Sequence, residues 1–172
     1  MEKARPVWSG LFLCVASMLN ALHHLLPSAP RIMPSQFYVT ADSVLQTLEE
    51  DGVPFEFHRL GEVDWELENA GLEDDDILKL LSMSEAGHRG TLLIETAGCA
   101  MVGLPCLACP VDELASFVHA YPSNLGSQAP TIGMFFDGDV IMVCEESRTI
   151  TVYHHGGGYA HAYVPERESG RA

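Results

Sequence analysis

Basic side chains are scarce in this sequence, and their scarcity narrows the classes of partner. The 172 residues include 9 Lys and Arg against 24 Asp and Glu, which gives a formal net charge of −15. A surface of that sign repels phosphate, so DNA binding and general coating of nucleic acid are disfavoured, and any RNA must be held locally. Because 47% of the residues are hydrophobic, the chain is too apolar to be disordered, and its length fits one domain.

Several common motifs are also missing. Five cysteines, an odd number, do not make a disulfide framework in a chain of this length, so a reducing, cytoplasmic compartment is favoured. The sequence has no internal repeat and no nucleotide-binding loop, because Gly156 to Gly158 lack the required strand-to-helix context. Cys106 and Cys109 have the spacing of a zinc or redox pair but no second pair, so we predict buried thiols, no metal and no cofactor.

The N-terminal segment is unusually apolar. Residues 7–26 carry no formally charged side chain and follow Lys3 and Arg5. A signal peptide, a membrane anchor, a helix of the fold and a translation start at Met33 all remain alternatives. We therefore divide the chain into an apolar segment (1–33), a domain (34–165) and a tail (166–172), with membrane contact only if residues 7–26 are a genuine anchor.

From residue 40 onward, helix and strand signals follow each other closely. Thr40 or Asp42 is a candidate N-cap for a helix of about ten residues that stops before Gly52. Residues 53–58 alternate in polarity and predict a strand, and Pro54 suits either an edge strand or the first position of a strand. Further predicted elements are a helix from about Asp74, a hairpin of 91–95 with 99–104, a helix over 111–121, and strands over 133–136, 140–144, 149–154 and 161–164. Together these segments predict an α+β fold.

Lys79 is the first candidate for chemistry, since Lys3 is the only other lysine and apolar residues flank Lys79 on both sides. In one interpretation its stem lies along a helix and its ammonium sits in water, paired with Asp75 or Asp76. In the other, the ammonium is an electropositive point for a phosphate or a developing oxyanion.

Two further features allow a structural or a functional interpretation. His154, His155 and His161 flank a glycine run and fit either a ligand set or switch, or ordinary strand and turn positions. The loop of residues 126–133 contains two glycines and a proline, and such loops present backbone N–H and carbonyl groups to their surroundings.

The order of these segments resembles the YbaK/prolyl-tRNA editing domain family. The resemblance is carried by VLQTLEEDGVPFEFH, ILKLL, AMVGLPCLACPVDELASF, GSQAPTIGM, VIMVCEES and ITVYHHGGGYAHAYV, which span about Asp42 to Val164. It implies a mixed, mostly antiparallel, barrel-like sheet with flanking helices. The spacing from Pro130 to Gly133 is one residue longer than the P-x-G of the family.

The resemblance also implies a function, namely hydrolysis in trans of the ester that joins a wrong amino acid to the 3′ end of a tRNA. Such an editing deacylase protects translation fidelity, and an aminoacyl-tRNA synthetase is a further candidate partner. The catalytic set carried over from the family is Lys79, Gly126, Pro130 and Gly133, and the substrate-binding set is His58, Glu145, Gly156 and Gly157. An activated ester needs positioning and aimed dipoles rather than a side-chain nucleophile, so the lack of a catalytic triad does not oppose this function.

The alternative is a catalytically inactive member of the same fold that binds a partner through its acidic surface. The position of Lys79 discriminates between the two. A lysine that faces a cavity walled by the 126–133 loop favours the deacylase, whereas a lysine in open solvent favours the binding module.

Overall fold

A computed structural model describes residues 17–29, 39–60, 72–101, 106–121, 133–136 and 138–166. The helices are α1 (Ser17–Leu25), α2 (Ala41–Glu50), α3 (Asp74–Leu80), α4 (Ala97–Met101) and α5 (Leu114–His119), and a 3-10 turn at Val111–Glu113 precedes α5. The strands are β1 (Phe55–Arg59), β2 (Thr91–Thr96), β3 (Leu107–Pro110), β4 (Val140–Cys144), β5 (Thr149–His154) and β6 (Gly158–Tyr163).

The strands form one six-stranded sheet in the order β1-β6-β5-β4-β2-β3, and every neighbouring pair is antiparallel. The predicted α+β class with flanking helices is confirmed. The predicted barrel-like, mixed sheet is wrong, because β1 and β3 are edge strands at opposite sides of an open sheet in the described residues. Short turns join β4 to β5 and β5 to β6, and such connections require antiparallel neighbours.

Helices cover both faces of this sheet. One apolar cluster joins α1 and α2 to one face, and a second joins α3 and α5 to the other. Along β4, Val140, Met142 and Cys144 face the α3 and α5 side, while Ile141 and Val143 face the α1 and α2 side. A strand buried on both faces has an uninterrupted apolar sequence, which is why VIMVC was recognisable as a strand.

The first predicted helix and strand are confirmed. Thr40 caps α2, since its hydroxyl oxygen accepts the N–H of Ser43 at 3.3 Å. The helix is followed by Gly52 at φ +67°, a left-handed conformation that glycine adopts without strain. The next element, β1, is an edge strand, one of the two alternatives for Pro54, and it pairs only with β6 among the described strands.

The predicted hairpin of residues 91–95 with 99–104 is wrong. Residues 97–101 form α4 instead, because the Thr96 hydroxyl accepts the N–H of Cys99 at 3.1 Å and caps a helical turn directly after β2. The next strand along the chain that pairs with β2 is β3, with Thr91 opposite Pro110 and Ile94 opposite Leu107, and β4 pairs with the other edge of β2. Residues 102–105 lie outside the described residues.

Part of the apolar N-terminal segment belongs to the core. The side chains of Met18, Leu22, Leu25 and Leu26 are buried in the cluster between α1, α2 and the sheet. Residues 17–25 therefore match the alternative of a helix of the fold, while Met33 lies outside the described residues. No helix within the described ranges combines the length and the apolar character needed to cross a membrane.

Candidate functional site

The N-terminal end of α3 is the most acidic helix terminus of the described chain. The sequence Glu-Asp-Asp-Asp over residues 73–76 places carboxylates at the positive end of the helix dipole. Asp76 Oδ2 accepts the Glu73 N–H at 3.3 Å, which satisfies one donor of the first turn. This terminus contacts two parts of the predicted catalytic set, namely Lys79 and the backbone at Gly133.

Lys79 is the first of these parts. Its Nζ donates to Asp76 Oδ1 at 3.0 Å, and the Lys79 side chain is 74% exposed. The hydrogen bond from Lys79 lowers the pKa of Asp76, and the same bond raises the pKa of Lys79. The interpretation in which the lysine head sits in water and pairs with a neighbouring Asp is confirmed.

Gly133 is the second part. A methyl group at Gly133 would lie 2.8 Å from both carboxylate oxygens of Asp74. That carboxylate accepts the N–H of Met134 at 2.6 Å and of Phe135 at 2.9 Å. Burial raises the pKa of Asp74, and the two N–H groups oppose the shift.

The strand predicted over residues 133–136 is therefore wrong. Residues 134–136 form a turn, and the Asp74 carboxylate takes the N–H groups that a strand would offer to its neighbour. Gly126 and Pro130, the other two members of the predicted catalytic set, lie outside the described residues.

Three of the four predicted substrate-binding residues lie at one end of the sheet, and the fourth lies at the other end. His58, on edge strand β1, lies against Tyr159 with ring centroids 5.2 Å apart. Gly156 and Gly157 belong to the β5–β6 turn near this end of the sheet. Glu145 follows β4 at the opposite end and pairs with His24 at 3.2 Å.

No family model, curated protein or solved structure matches this chain. The similarity to the YbaK/prolyl-tRNA editing domains therefore stays a prediction carried by short sequence segments.

The described cysteines are thiols rather than disulfides, and all four of them are buried. Cys109 donates through Sγ to the Pro110 carbonyl at 3.1 Å. Burial raises the pKa of Cys109 to about 12, so this thiol is not a nucleophile near neutrality. The prediction of buried thiols at Cys106 and Cys109 is confirmed.

A buried histidine that the sequence did not single out lies under the α3 side of the sheet. His88 is 8% exposed, and its Nε2 lies 2.7 Å from Thr151 Oγ1, which in turn lies 2.8 Å from His161 Nδ1. His161 Nε2 contacts the Leu81 carbonyl at 2.8 Å, and a carbonyl only accepts, so the proton of a neutral His161 is on Nε2. Thr151 then donates to His161 and accepts from His88 Nε2.

The donors and acceptors on the other side of His88 are assigned in the same way. With its proton on Nε2, His88 accepts through Nδ1 from the Thr149 hydroxyl at 2.6 Å. The Thr149 oxygen then accepts from Ser147 at 2.7 Å, and Ser147 accepts the Arg89 N–H at 3.1 Å. Desolvation lowers the pKa of His88 to about 4 and also lowers that of His161, so both rings are neutral near pH 7.

The three histidines that flank the glycine run divide into two environments. His154 and His155 stack with ring centroids 4.4 Å apart, whereas His161 belongs to the series of hydrogen bonds that includes Thr151. His155 Nδ1 lies 2.7 Å from Asp139 Oδ1, and His154 Nε2 lies 3.5 Å from Asp42 Oδ1. Asp139 had no sequence signal, because it contacts the histidines only through the antiparallel pairing of β4 with β5.

Proposed function

We propose that this chain is a non-catalytic relative of the YbaK/prolyl-tRNA editing domains that binds a basic protein segment through an acidic surface. One observation carries the proposal, namely that the acidic start of α3 occupies both described parts of the predicted catalytic set. Asp76 pairs with Lys79, and Asp74 holds the N–H groups of Met134 and Phe135.

Ester hydrolysis of the editing type requires both of these groups to be available. The resemblance implies that the lysine holds the tRNA end and that the loop backbone frames the aminoacyl group. Here an exposed ammonium is paired with its own helix, and the N–H groups that follow Gly133 are directed at a carboxylate. Dipoles already paired with an anion stabilise a developing oxyanion poorly.

The distribution of cationic side chains also disfavours tRNA as the partner. The described residues contain four Lys and Arg side chains, at positions 59, 79, 89 and 148. Arg148 donates Nε to the Val164 carbonyl at 2.8 Å, and Arg59 and Arg89 lie toward opposite ends of the sheet. An RNA-binding surface needs cations grouped on one face, which these residues do not provide.

Exposed carboxylates lie instead at two places on the α3 and α5 side, the start of α3 and the 3-10 turn before α5. We name the two groups together the acidic helix face, which comprises Glu73, Asp75, Asp76, Asp112 and Glu113. The helices α3 and α5 pack together, and every member of the face is at least partly exposed. Such a surface attracts a Lys- and Arg-rich segment and accelerates its association at low salt.

The proposal is tested by binding of a fluorescent Lys- and Arg-rich peptide, followed by anisotropy at low and high salt. We expect the triple variant Asp75→Asn/Asp112→Asn/Glu113→Gln to weaken binding roughly tenfold, since exposed charge pairs contribute about 0.2–1 kcal/mol each. The control carries the same charge change on α2 and at the C-terminal end, as Glu49→Gln/Glu50→Gln/Glu166→Gln. Equal weakening by both triple variants would show attraction by net charge alone and would contradict a defined surface.

A second experiment addresses catalysis directly. The full chain and its Lys79→Ala variant are incubated with a panel of mischarged tRNAs, and release of the amino acid is measured. We expect no release above the uncatalysed rate from either protein. Release that depends on Lys79 would overturn the proposal and establish an editing hydrolase, whereas release by both proteins would establish a hydrolase in which Lys79 has no role.

A further inference from the structure

Three ligand-type side chains converge beside the β5–β6 turn, away from the residues used in the proposed function. Asp139, His154 and His155 each offer one nitrogen or oxygen atom, and these atoms lie within 4.8 Å of one another. We propose that these three side chains bind a divalent transition-metal ion, with Zn²⁺ as the expected occupant. The inference does not rest on the proposed function.

Asp139 is held in place for this role. Its side chain is 10% exposed, Oδ2 accepts the N–H of Ala41 at 2.8 Å, and Oδ1 accepts the backbone N–H of His155 at 3.0 Å. Burial acts to raise the pKa of Asp139, but these N–H groups and the His155 ring bring it below its ordinary value. The two backbone N–H groups hold the carboxylate in a fixed orientation before any ion arrives.

The two histidines present their rings side by side. They stack at 4.4 Å with an interplanar angle of 21°, and the turn that carries them is closed by the Gly157 N–H, which donates to the His154 carbonyl at 3.0 Å. Asp42 Oδ1 lies 3.5 Å from His154 Nε2. The Asp42 carboxylate faces Nε2, so the nitrogen left for the ion is Nδ1, which accepts the Gly156 N–H at 2.8 Å in the metal-free protein.

Metal binding requires one ring proton to move and two contacts to open, namely the Gly156 N–H bond to His154 Nδ1 and the contact between His155 and Asp139. His155 Nδ1 and Asp139 Oδ1 lie 2.7 Å apart and share a proton in the metal-free protein. By exchange with solvent the ring proton moves from Nδ1 to Nε2, the ion takes its place at Nδ1, and the two ligand atoms separate to roughly 3.3 Å, as bonds of about 2.0–2.2 Å in a tetrahedron demand. The His155 side chain is 58% exposed, so it is free to make this movement.

The donor set selects the class of ion. Two imidazoles and one carboxylate suit Zn²⁺, Ni²⁺ or Co²⁺, whereas Mg²⁺ and Ca²⁺ prefer oxygen ligands. Three protein ligands leave a fourth position for water or for a group of a partner. A bound ion would tie together the entry to β4, the β5–β6 turn and, through Asp139 and Ala41, the start of α2.

The test uses the untagged, metal-stripped full chain, titrated with Zn²⁺ by calorimetry and with Co²⁺ by visible absorption. We expect one equivalent to bind, and His155→Gln and His154→Gln each to weaken binding at least about tenfold, because even loss of a second-shell partner costs about 10–100-fold. His119→Gln is the matched control, since His119 pairs with Asp75 at 3.2 Å in the same way but in no three-ligand group of the described residues. That variant should bind as the parent does.

The Co²⁺ spectrum separates this site from the cysteines. Coordination by nitrogen and oxygen gives ligand-field bands without the near-ultraviolet thiolate charge-transfer band that Cys106 and Cys109 would produce. Asp139→Asn is informative only if far-UV circular dichroism shows that α2 survives, so the exposed His155 carries the decision. No binding by the parent, a thiolate band, or equal binding by the His155→Gln variant would each overturn the proposal.

Discussion

At the scale of single residues, Gly133 and Asp74 show how one carboxylate shapes a loop. A methyl group at Gly133 would lie 2.8 Å from both Asp74 oxygens, and Asp74 cannot turn away without releasing Met134 and Phe135. We expect Gly133→Ala to lower the free energy of unfolding by about 1–3 kcal/mol, the usual cost of an overpacked site. Urea denaturation followed by circular dichroism measures this change.

A double-mutant cycle identifies the carboxylate as the cause. In an Asp74→Ala background the added methyl group meets no carboxylate, so Gly133→Ala should cost much less there than in the parent. Residues in direct contact show such coupling, whereas independent sites add. Additive losses in the two single variants would mean that the cost at Gly133 comes from its backbone and not from Asp74.

The contacts of the candidate site differ in how far they could be predicted from the sequence. The pairing of Lys79 with Asp76 was predictable, because residues three apart on a helix are neighbours. The contact between Asp74 and the turn after Gly133 joins residues about 60 positions apart, and no local pattern encodes it. The approach of Asp139 to His155 likewise depends on strand register, which only the assembled sheet defines.

At the scale of elements, α1 is expected to be part of the stable structure. Leu25 is 2% exposed and lies in the cluster that joins α1 and α2 to the sheet. We expect Leu25→Ala to lower the free energy of unfolding by about 2–5 kcal/mol, since it leaves a cavity, whereas Asn20→Ala on the exposed side of the same helix should change it by less than about 0.5 kcal/mol. Equal unfolding midpoints for the two variants would show that α1 does not pack on the sheet.

Elements with local start and stop signals or an unbroken apolar run were predicted, whereas the segments after β2 and at residues 133–136 were not. The helix α2 has a cap at Thr40 and a stop at Gly52, so its bounds follow from local chemistry. After β2 the local pattern was misleading, because the apolar run from Cys99 fits a strand but the Thr96 hydroxyl starts a helical turn. The next strand along the chain to pair with β2 is then β3, which begins only at Leu107. Strand order across the sheet is a long-range property, and the short segments contained no signal for it.

At the scale of the whole molecule, two buried titratable groups set opposite pH dependences. His88 binds Thr149 and Thr151 on β5, and burial lowers its pKa from 6.5 to about 4. Glu95 accepts the Val39 N–H at 2.7 Å, and burial raises its pKa from 4.5 to about 7. Between the two pKa values of His88, this ring is protonated in the unfolded chain and neutral in the folded chain. Between the two pKa values of Glu95, this carboxyl is protonated in the folded chain and ionised in the unfolded chain.

This difference in bound protons sets the sign of each pH dependence of stability. Folding stability from neutral His88 is present above pH 6.5 and is lost as the pH falls toward about 4. Stability from protonated Glu95 is present below pH 4.5 and is lost as the pH rises through about 7. Between pH 4.5 and 6.5 the two contributions oppose each other, so the parent protein should show a shallow profile from this pair.

Each single variant should therefore reveal the slope of the other group. In Glu95→Gln only His88 remains, and the free energy of unfolding should rise with pH between 4.5 and 6.5 by on the order of 1 kcal/mol per pH unit relative to the parent. In His88→Gln it should fall with pH over the same interval by a similar amount. Urea titrations at several pH values measure the slope of the free energy of unfolding against pH for each protein. Because each slope is taken within one protein, a loss of absolute stability caused by the substitution does not change it. The net charge of −15 is nearly the same in all three proteins, so charge repulsion contributes almost equally to each pH profile. Parallel profiles for the three proteins would therefore mean that neither buried group has a displaced pKa.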